Sequence, residues 1–181
     1  MKLGKFEIRK AEPEPNDVDA FFASLSPWPE RQEDYEKEYG AIDVKGKVVV
    51  DYGSDVGSTA YYFLNKGAKR VIMIDNNPYA YHVYLTKVLH SKFAKEFAEK
   101  TEFHKKFDFQ KGDVLKSDCE GGEILLTKDY LNSFQSWVVA VHQKALPKKD
   151  FARLQKLCLG SGGKLKMITG GFEYIYIKAI A

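Results

Sequence analysis

Acidic residues and glycines recur at a regular spacing between positions 47 and 78. Asp51 precedes a short loop bracketed by Gly53 and Gly57, and Asp75 follows Gly57 by 18 residues. Backbone N–H groups of a glycine loop at a helix N-terminus can bind a ligand, and a carboxylate at this distance can accept hydrogen bonds from ribose hydroxyls. The spacing therefore predicts a nucleoside-binding site.

The same loop discriminates between two kinds of nucleoside cofactor. A dinucleotide fingerprint, G-x-G-x-x-G, requires glycines at 53, 55 and 58, but Asp55 and Ser58 occupy the last two positions. Asp55 would lie near a pyrophosphate, and two like charges about 4 Å apart at an effective dielectric near 20 repel by about 4 kcal/mol. S-adenosylmethionine carries no phosphate, and its sulfonium and ammonium groups are cationic. The loop therefore favours S-adenosylmethionine over NAD, with a purely structural loop as the alternative.

A second set of polar residues follows two later apolar runs. Asp118 and Glu120 follow a strand predicted at residues 113–117, and His142 follows one predicted at residues 136–141. Ligands of open α/β sheets bind at the carboxyl ends of the strands, so we expect these residues to converge beside the glycine loop. His142 is the candidate general base because the unperturbed pKa of histidine lies near neutrality.

These three residues have competing interpretations. A histidine at a strand end is often structural. Asp118 and Glu120 could bind Mg²⁺, but two carboxylates are too few to identify a metal site, and no metal site is assigned. We therefore predict His142, Asp118 and Glu120 as catalytic residues.

The elements that must position these residues alternate between strand and helix. Residues 47–51 and 70–74 are β-branched runs without polar alternation, as expected of parallel strands covered on both faces. Residues 58–66 carry apolar side chains at helical spacing, and Gly67 is placed to stop the helix. Further strands are predicted at residues 101–109, 113–117, 136–141, 164–169 and 172–179, and further helices at 78–100 and 148–159.

The last two predicted strands are separated by Gly170 and Gly171, which is a hairpin signal. A parallel sheet finished by an antiparallel hairpin is the topology of class I methyltransferases, whereas a dehydrogenase normally closes with a parallel crossover. We therefore predict an α/β fold with a Rossmann-like, doubly wound, seven-stranded and mostly parallel sheet.

Length and composition limit the number of domains, the class of partner and the compartment that the sequence allows. The 181 residues suffice for one domain, and the net charge of +3 is too small to indicate nucleic acid by itself. Residues 1–40 differ from the rest of the chain in composition, so we assign them to an N-terminal arm that packs on the core or closes as a flap. Residues 41–181 are assigned to the cofactor-binding domain. Cys119 and Cys158 fit no metal spacing, and neither a secretory pattern nor a membrane-spanning run is apparent, so we expect a cytoplasmic protein without a membrane partner.

Three blocks of the sequence resemble the FkbM family of S-adenosylmethionine-dependent methyltransferases. VVVDYGSDVGSTAYYFLNKGAKRVIMID resembles the family's D-x-G-A-N-x-G-D/S-T loop with the following helix and strand. DVLKSDCEGGE resembles its K-x-D-x-E-G-x-E block, and WVVAVHQ resembles its strand ending in E-x-H. The similarity covers about residues 44–181. It departs from the family at Ser54, Asp55, Asp75 and Ala140, and in a shorter connection between the third and fourth strands.

The resemblance implies roles for individual residues. The loop around Gly53 and Gly57 would hold the methionine end of the cofactor, and Asp75 would hold the ribose. Asp118, Glu120 and Glu123 would line the site, with His142 opposite. The predicted cofactor-binding residues are Asp51, Gly53, Ser54, Asp55, Gly57, Asp75 and Asn76.

The resemblance and the loop together predict a methyltransferase that uses S-adenosylmethionine and methylates a hydroxyl of a small molecule or glycan. One alternative is methylation of RNA or another nucleic acid, because two lysine clusters are present. A second alternative is a domain that binds S-adenosylmethionine without catalysis. The lysine clusters are Lys105, Lys106 and Lys111, and Lys144, Lys148 and Lys149.

Overall fold

The computed structural model describes residues 18–25, 34–92 and 94–179. Strands and helices alternate through most of this part of the chain. The strands are β1 (Val48–Tyr52), β2 (Arg70–Ile74), β3 (Thr101–His104), β4 (Val114–Ser117), β5 (Ser136–His142), β6 (Lys164–Thr169) and β7 (Glu173–Lys178). The α-helices are α1 (Val18–Leu25), α2 (Tyr35–Tyr39), α3 (Ser58–Asn65), α4 (Pro78–Thr86), α5 (Ala94–Lys100), α6 (Lys128–Asn132) and α7 (Lys148–Gly160).

The strands form one seven-stranded sheet in the order β3-β2-β1-β4-β5-β7-β6. β1 to β5 pair in parallel, whereas β7 runs antiparallel to both β5 and β6. The turn between β6 and β7 uses Gly170 and Gly171, both with positive φ, as a tight hairpin requires. The predicted fold class is confirmed.

Helices cover both faces of the sheet, which explains why the central strands lack polar alternation. Val49 and Val50 are adjacent in β1 and both fully buried, yet they belong to different cores. Val49 packs with the core that includes Phe63 of α3, and Val50 packs with the core that includes Leu154 of α7. The parallel arrangement places the carboxyl ends of β1, β2, β4 and β5 at one edge.

The prediction of a single helix at residues 78–100 is wrong. α4 ends at Thr86, a 3₁₀ turn spans Val88–His90, and α5 begins at Ala94. Ser91 separates the turn from α5 with extended backbone angles, and its hydroxyl donates to the carbonyl of Val88 at 2.9 Å. A serine that bonds the nearby backbone in this way competes with helix continuation.

The third strand is shorter than the predicted residues 101–109, because β3 ends at His104. Residues 105–113 connect β3 to β4 without a helix. Phe107 in this connection stacks on Tyr52 of β1, with 5.6 Å between ring centroids, and the Tyr52 hydroxyl donates to the carbonyl of Asp108. The connection therefore covers the sheet face where a crossover helix would lie in a βαβ unit.

Much of the N-terminal arm, including Trp28, lies outside the described residues, but α1 and α2 lie within them. Phe22 of α1 is buried and its ring lies 5.4 Å from that of Tyr61 and 5.6 Å from that of Phe97. The structure adds α6 and a 3₁₀ turn at Gly122–Leu125, neither of which the sequence pattern predicted. Within the described ranges, no helix is long and apolar enough to cross a membrane.

Candidate functional site

The loop after β1 is held by close contacts within the fold. Gly53 has φ 72°, and a Cβ there would lie 1.8 Å from the carbonyl oxygen of Asp118, which follows β4. Gly57 has φ 106°, and a Cβ there would lie 2.8 Å from Cζ of Phe97. Both positions therefore exclude side chains because protein atoms approach closely. Asp55 also adopts a left-handed conformation, with φ 45°, which aspartate tolerates better than most residues.

Asp75 joins the ends of β1 and β2. One carboxylate oxygen accepts the backbone N–H of Asp55 at 2.9 Å, and the other accepts the N–H of Asn77 at 2.8 Å. Asn77 caps α4 with Pro78 in the first turn, while Asn76 is exposed. Burial, with the adjacent Asp75 charge adding to it, raises the pKa of Asp55. Each Asp75 oxygen keeps a lone pair that a ligand hydroxyl can use.

Asp51 lies beneath this loop and is fully buried. One oxygen accepts the hydroxyl of Thr59 at 2.8 Å, and the other lies 3.0 Å from Nζ of Lys116, which is itself buried. Lys116 donates to the carbonyl oxygens of Gly53, at 2.7 Å, and Tyr52, at 3.3 Å. Asp51 therefore supports the loop through Lys116 and α3. Ser54 is likewise fully buried.

Asp118 and His142 meet at the carboxyl ends of β4 and β5, as the sequence analysis expected of their positions. Oδ1 of Asp118 lies 3.3 Å from Nε2 of His142, and Oδ2 accepts the hydroxyl of Tyr39 in α2 at 2.9 Å. On the other side of the ring, Nδ1 lies 3.4 Å from Oε1 of Glu123. Glu173, which pairs with His142 across β5 and β7, places Oε1 3.8 Å from Nε2.

Glu123, and not Glu120, reaches His142. Glu123 is fully buried, and its two oxygens accept the backbone N–H groups of Cys119 at 2.6 Å and Gly121 at 2.8 Å. Glu120 is exposed and has φ 48°, because the chain turns sharply between Cys119 and Glu123. The turn carries Glu123 inward, so Asp118, Glu123 and His142 each offer one ligand atom, all within 4.8 Å of one another.

The charges around His142 determine its protonation. Burial by itself lowers the pKa of His142, but the contact with Glu123 and the charges of Asp118, Glu123 and Glu173 outweigh burial and raise the pKa to about 9. In the absence of another cation, His142 is therefore an imidazolium at neutral pH. The sequence analysis expected a pKa near neutrality and a proton-accepting imidazole. The carboxylates that raise the pKa come from three different elements, and Glu123 and Glu173 were not among those expected to raise it.

Sequence reasoning missed several residues that build the site. Tyr39 and Glu173 were not singled out, because a lone tyrosine in the arm and a glutamate beside a hairpin carry no pattern of their own. Glu123 was expected to line the site because of the K-x-D-x-E-G-x-E resemblance, whereas Lys116, in the same block, was given no role. Hydrogen bonds to Asp118 and Gly53 give Tyr39 and Lys116 their roles, and such long-range contacts have no local signal in the sequence.

The sheet order, the reversed last strand and the loop position define the class I methyltransferase fold, and solved structures agree. The chain matches a precorrin-6y C5,15-methyltransferase from Geobacter metallireducens with a TM-score of 0.55, 13% identity, and coverage of 81% of this chain and 87% of that one. It matches Aeropyrum pernix fibrillarin in complex with S-adenosyl-L-methionine with a TM-score of 0.53, 15% identity, and coverage of 76% and 69%. It also matches the Methanococcus jannaschii fibrillarin pre-rRNA processing protein with a TM-score of 0.53, 14% identity, and coverage of 75% and 67%. These similarities show the fold.

Sequence relatives show the family. The chain is 30% identical over 109 residues to uncharacterized protein 65 of Sulfolobus islandicus filamentous virus (isolate Iceland/Hveragerdi), covering 60% of this chain and 68% of that protein. It is 31% identical over 121 residues to uncharacterized protein 158B of Sulfolobus islandicus rod-shaped virus 1, covering 66% and 76%. The chain belongs to the family of these two proteins. No family model matches it, so membership in the FkbM family is not confirmed.

Proposed function

We propose that this protein is an S-adenosylmethionine-dependent methyltransferase. The observation that carries the proposal is the hydrogen bond from the Asp55 N–H to Asp75, which joins the loop after β1 to the carboxylate after β2. In an open α/β sheet, ligands bind at this edge. The cofactor would supply a methyl group on a cationic sulfur, and an edge rich in carboxylates favours such a cation.

The residues present fit this cofactor. The hydroxyl of Ser54 is buried and has no hydrogen-bond partner among the described residues, which leaves one polar group of the loop available. The loop from Gly53 to Gly57 would hold the methionine end, and Asp75 and Asn76 would bind the ribose. Asp51 would act from beneath the loop. Asp55 beside Asp75 disfavours a pyrophosphate by charge repulsion.

Asp118 is the residue that we propose contacts the methyl acceptor. Its side chain is 15% exposed, whereas the side chain of His142 is 6% exposed and that of Glu123 is fully buried. Two donors, the Tyr39 hydroxyl and Nε2 of His142, face its two oxygens. Asp118 would orient the acceptor hydroxyl and accept its proton as attack develops. His142 would then act as a positioning cation, and Glu120 stays a predicted catalytic residue that its own variant must test.

The acceptor that we favour is a hydroxyl of a small molecule or glycan. The FkbM-like blocks support this choice, and so does the charge of the site, since Asp118, Glu123 and Glu173 surround one histidine. A backbone phosphate placed here would be repelled.

RNA is the second candidate acceptor because of two lysines at the same edge of the sheet. Lys105 follows β3 with Nζ 3.8 Å from the ring centroid of Tyr81, and Lys144 follows β5 with Nζ 3.9 Å from that of Phe172. Such paired cations and aromatic rings suit phosphates and bases of a single strand. Binding that weakens steeply with salt would support this candidate.

The cofactor assignment is tested by ligand binding. We expect S-adenosylmethionine and S-adenosylhomocysteine to raise the melting temperature, since a ligand that binds the native state alone stabilises it by mass action. NAD and NADP should leave the melting temperature unchanged. A comparable shift with NAD would overturn the assignment, and cofactor binding without methyl transfer to any acceptor would favour the non-catalytic alternative.

The acceptor is tested by incubating the protein with methyl-labelled S-adenosylmethionine and cell extract, then identifying the class of molecule that carries the label. Label in small molecules or glycans supports the favoured acceptor, and label in RNA supports the alternative.

The free thiols Cys119 and Cys158 support a reducing, cytoplasmic location, which stays part of the proposal.

A further inference from the structure

We propose that Asp118, Glu123 and His142 bind a divalent metal ion of the Mn²⁺ class. The three residues lie far apart in the sequence, but β4, the turn after it and the end of β5 bring their ligand atoms within 4.8 Å of one another. The set contains two carboxylate oxygens and one imidazole nitrogen, which is a donor set for divalent transition ions.

The distances within the cluster are too long for direct hydrogen bonds of full strength. The contacts of His142 with Asp118 and Glu123 are 3.3 and 3.4 Å. A charge-assisted N–H···O bond measures about 2.7–2.9 Å, so both contacts are too long for the strong bonds that such charges normally form. Nε2 faces Asp118 and Nδ1 faces Glu123, and one ion binds only one ring nitrogen. The ion would therefore lie on one side of the ring, with one ligand atom from each residue inside the 4.8 Å that the cluster spans.

The histidine provides an independent sign of a ligand. His142 is only 5% exposed, and within the described part of the chain its buried Nδ1 makes no hydrogen bond. Buried polar atoms are normally satisfied, because an unsatisfied one costs about 1–3 kcal/mol. This nitrogen lies 3.4 Å from the buried carboxylate of Glu123 and is suited to an ion that the two residues share.

The carboxylates are already oriented by donors around the cluster. Oδ2 of Asp118 accepts a hydrogen bond from the Tyr39 hydroxyl at 2.9 Å. Glu123 accepts the N–H groups of Cys119 and Gly121 at 2.6 and 2.8 Å. Metal ligands are usually held by such outer hydrogen bonds, which fix the orientation of each ligand and tune its affinity.

Charge balance selects a divalent cation. Glu173 adds a third carboxylate, 3.8 Å from Nε2 of His142, and the nearby buried cation Lys116 is paired with Asp51. With its extra proton, the imidazole neutralises only one of the three carboxylates. A divalent ion that binds the ring displaces this proton into solvent and neutralises two of them. The imidazole ligand favours a divalent transition ion over Mg²⁺, which prefers oxygen ligands and water, and the two carboxylates favour Mn²⁺ among the transition ions.

An ion with three protein ligands keeps open positions for other oxygen ligands. One of these positions would take the acceptor oxygen, which is the part of the inference that rests on the proposed function. Binding of the ion does not depend on methyl transfer, so the two can fail separately.

The test is a titration of the chelator-treated, full-length protein with MnCl₂, followed by calorimetry and by electron paramagnetic resonance. We expect calorimetry to show one Mn²⁺ per chain. In electron paramagnetic resonance, the spin echo of this ion should be modulated by a coordinated histidine nitrogen, and the modulation should disappear in His142→Gln. Asp118→Asn and Glu123→Gln should each weaken binding by at least tenfold. Glu120→Gln is the matched control, since it removes an exposed carboxylate three residues from Glu123, and should change the affinity by less than twofold.

Glu123→Gln disturbs the turn and could unfold the protein, so Asp118→Asn and the nitrogen signal of the wild-type protein carry the test if it does. Absence of a single tight site, absence of the nitrogen signal, or equal weakening by Glu120→Gln would overturn the inference. S-adenosylmethionine binding, measured on the same samples without Mn²⁺, tests the proposed function independently.

Discussion

Asp75 is the side chain on which the cofactor assignment depends most directly. Asp75→Ala should weaken S-adenosylmethionine binding by roughly ten- to a hundredfold, because hydrogen bonds to a charged group contribute about 1.5–3 kcal/mol. The change also removes the acceptor for the Asp55 N–H, so the loop loses one of its anchors. Calorimetry measures the affinity, and circular dichroism checks that the fold is retained. An unchanged affinity would make Asp75 purely structural.

His142 makes stability depend on pH, and the direction follows from its raised pKa. The pKa is about 9 in the folded protein, against about 6.5 in the unfolded chain. The stabilisation is therefore fully present below pH 6.5 and is lost as the pH rises through 9. With a chelator present, the free energy of unfolding of the wild-type protein should fall by up to about 3 kcal/mol between pH 6.5 and 10, at about 1.4 kcal/mol per pKa unit.

The control for this pH dependence is His142→Gln, which removes the titrating group while keeping a side chain of similar polarity. Urea unfolding at both pH values should show a much smaller difference in the variant. Equal pH dependence in the two proteins would mean that other groups cause the loss of stability.

The residue types of the candidate site were predictable where a strand end exposes them. Asp118 and His142 follow apolar runs, so the sequence placed them at the right edge. The choice between Glu120 and Glu123 was not predictable, because it depends on the left-handed conformation of Glu120 and on which backbone N–H groups the buried carboxylate accepts. The shifted pKa of His142 has the same origin, since its causes come from β4, the turn after it and β7.

At the scale of elements, the contact between the loop after β1 and the chain after β4 can be tested with a pair of glycines. Gly46 and Gly53 both have φ 72°, but a Cβ at Gly46 meets no atom within 4 Å, whereas one at Gly53 would lie 1.8 Å from the Asp118 carbonyl oxygen. Gly46→Ala should cost about 1–2 kcal/mol from the left-handed conformation alone.

Gly53→Ala should cost clearly more than Gly46→Ala, because backbone must move in addition to the conformational cost. It should also weaken binding of S-adenosylmethionine, whereas Gly46→Ala should not. Thermal unfolding and calorimetry of the two variants provide the comparison. Equal losses of stability would show that the conformation of Gly53, and not its close approach to Asp118, is what excludes a side chain.

Element boundaries show where sequence patterns succeed and fail. The β-branched runs located β1 and β2 closely, because burial on both faces leaves an unambiguous composition. The apolar residues recurring every fourth position from 81 to 97 suggested one helix, yet Ala80 and Val83 are buried while Leu85 is 38% exposed. The periodicity was real, but the buried face of α4 follows other residues, and the extended backbone at Ser91, whose hydroxyl bonds the Val88 carbonyl, has no signal in that pattern.

For the whole molecule, the N-terminal arm contributes to the core at α1. Phe22→Ala should lower the free energy of unfolding by about 3–5 kcal/mol, because the ring is 3% exposed and packs on Tyr61 and Phe97. Ser24→Ala, an exposed change in the same helix, should have a much smaller effect. Chemical denaturation measures both. If Phe22→Ala left stability unchanged, the result would support the interpretation of the arm as a movable flap.

The class of fold was predictable as a whole because several independent signals agreed. Alternating strands and helices required a parallel sheet, and the Gly170-Gly171 turn reversed its last strand. The predicted strands left no room for a helix between β3 and β4, but the packing of this connection on β1 was not predictable, since it depends on Phe107 meeting Tyr52 from a distant part of the chain.

Lys116 connects the loop proposed to hold the cofactor with the strand that ends at the proposed acceptor site. Its ammonium group, on the strand that ends at Asp118, donates to the carbonyl of Gly53 in the loop proposed to hold the cofactor. A shift in either loop is therefore transmitted to the other through one buried cation. If cofactor binding changes the affinity for the acceptor, the acceptor must change the affinity for the cofactor by the same factor. We expect calorimetry to show this equal coupling in the wild-type protein, and replacing Lys116 with methionine should reduce it.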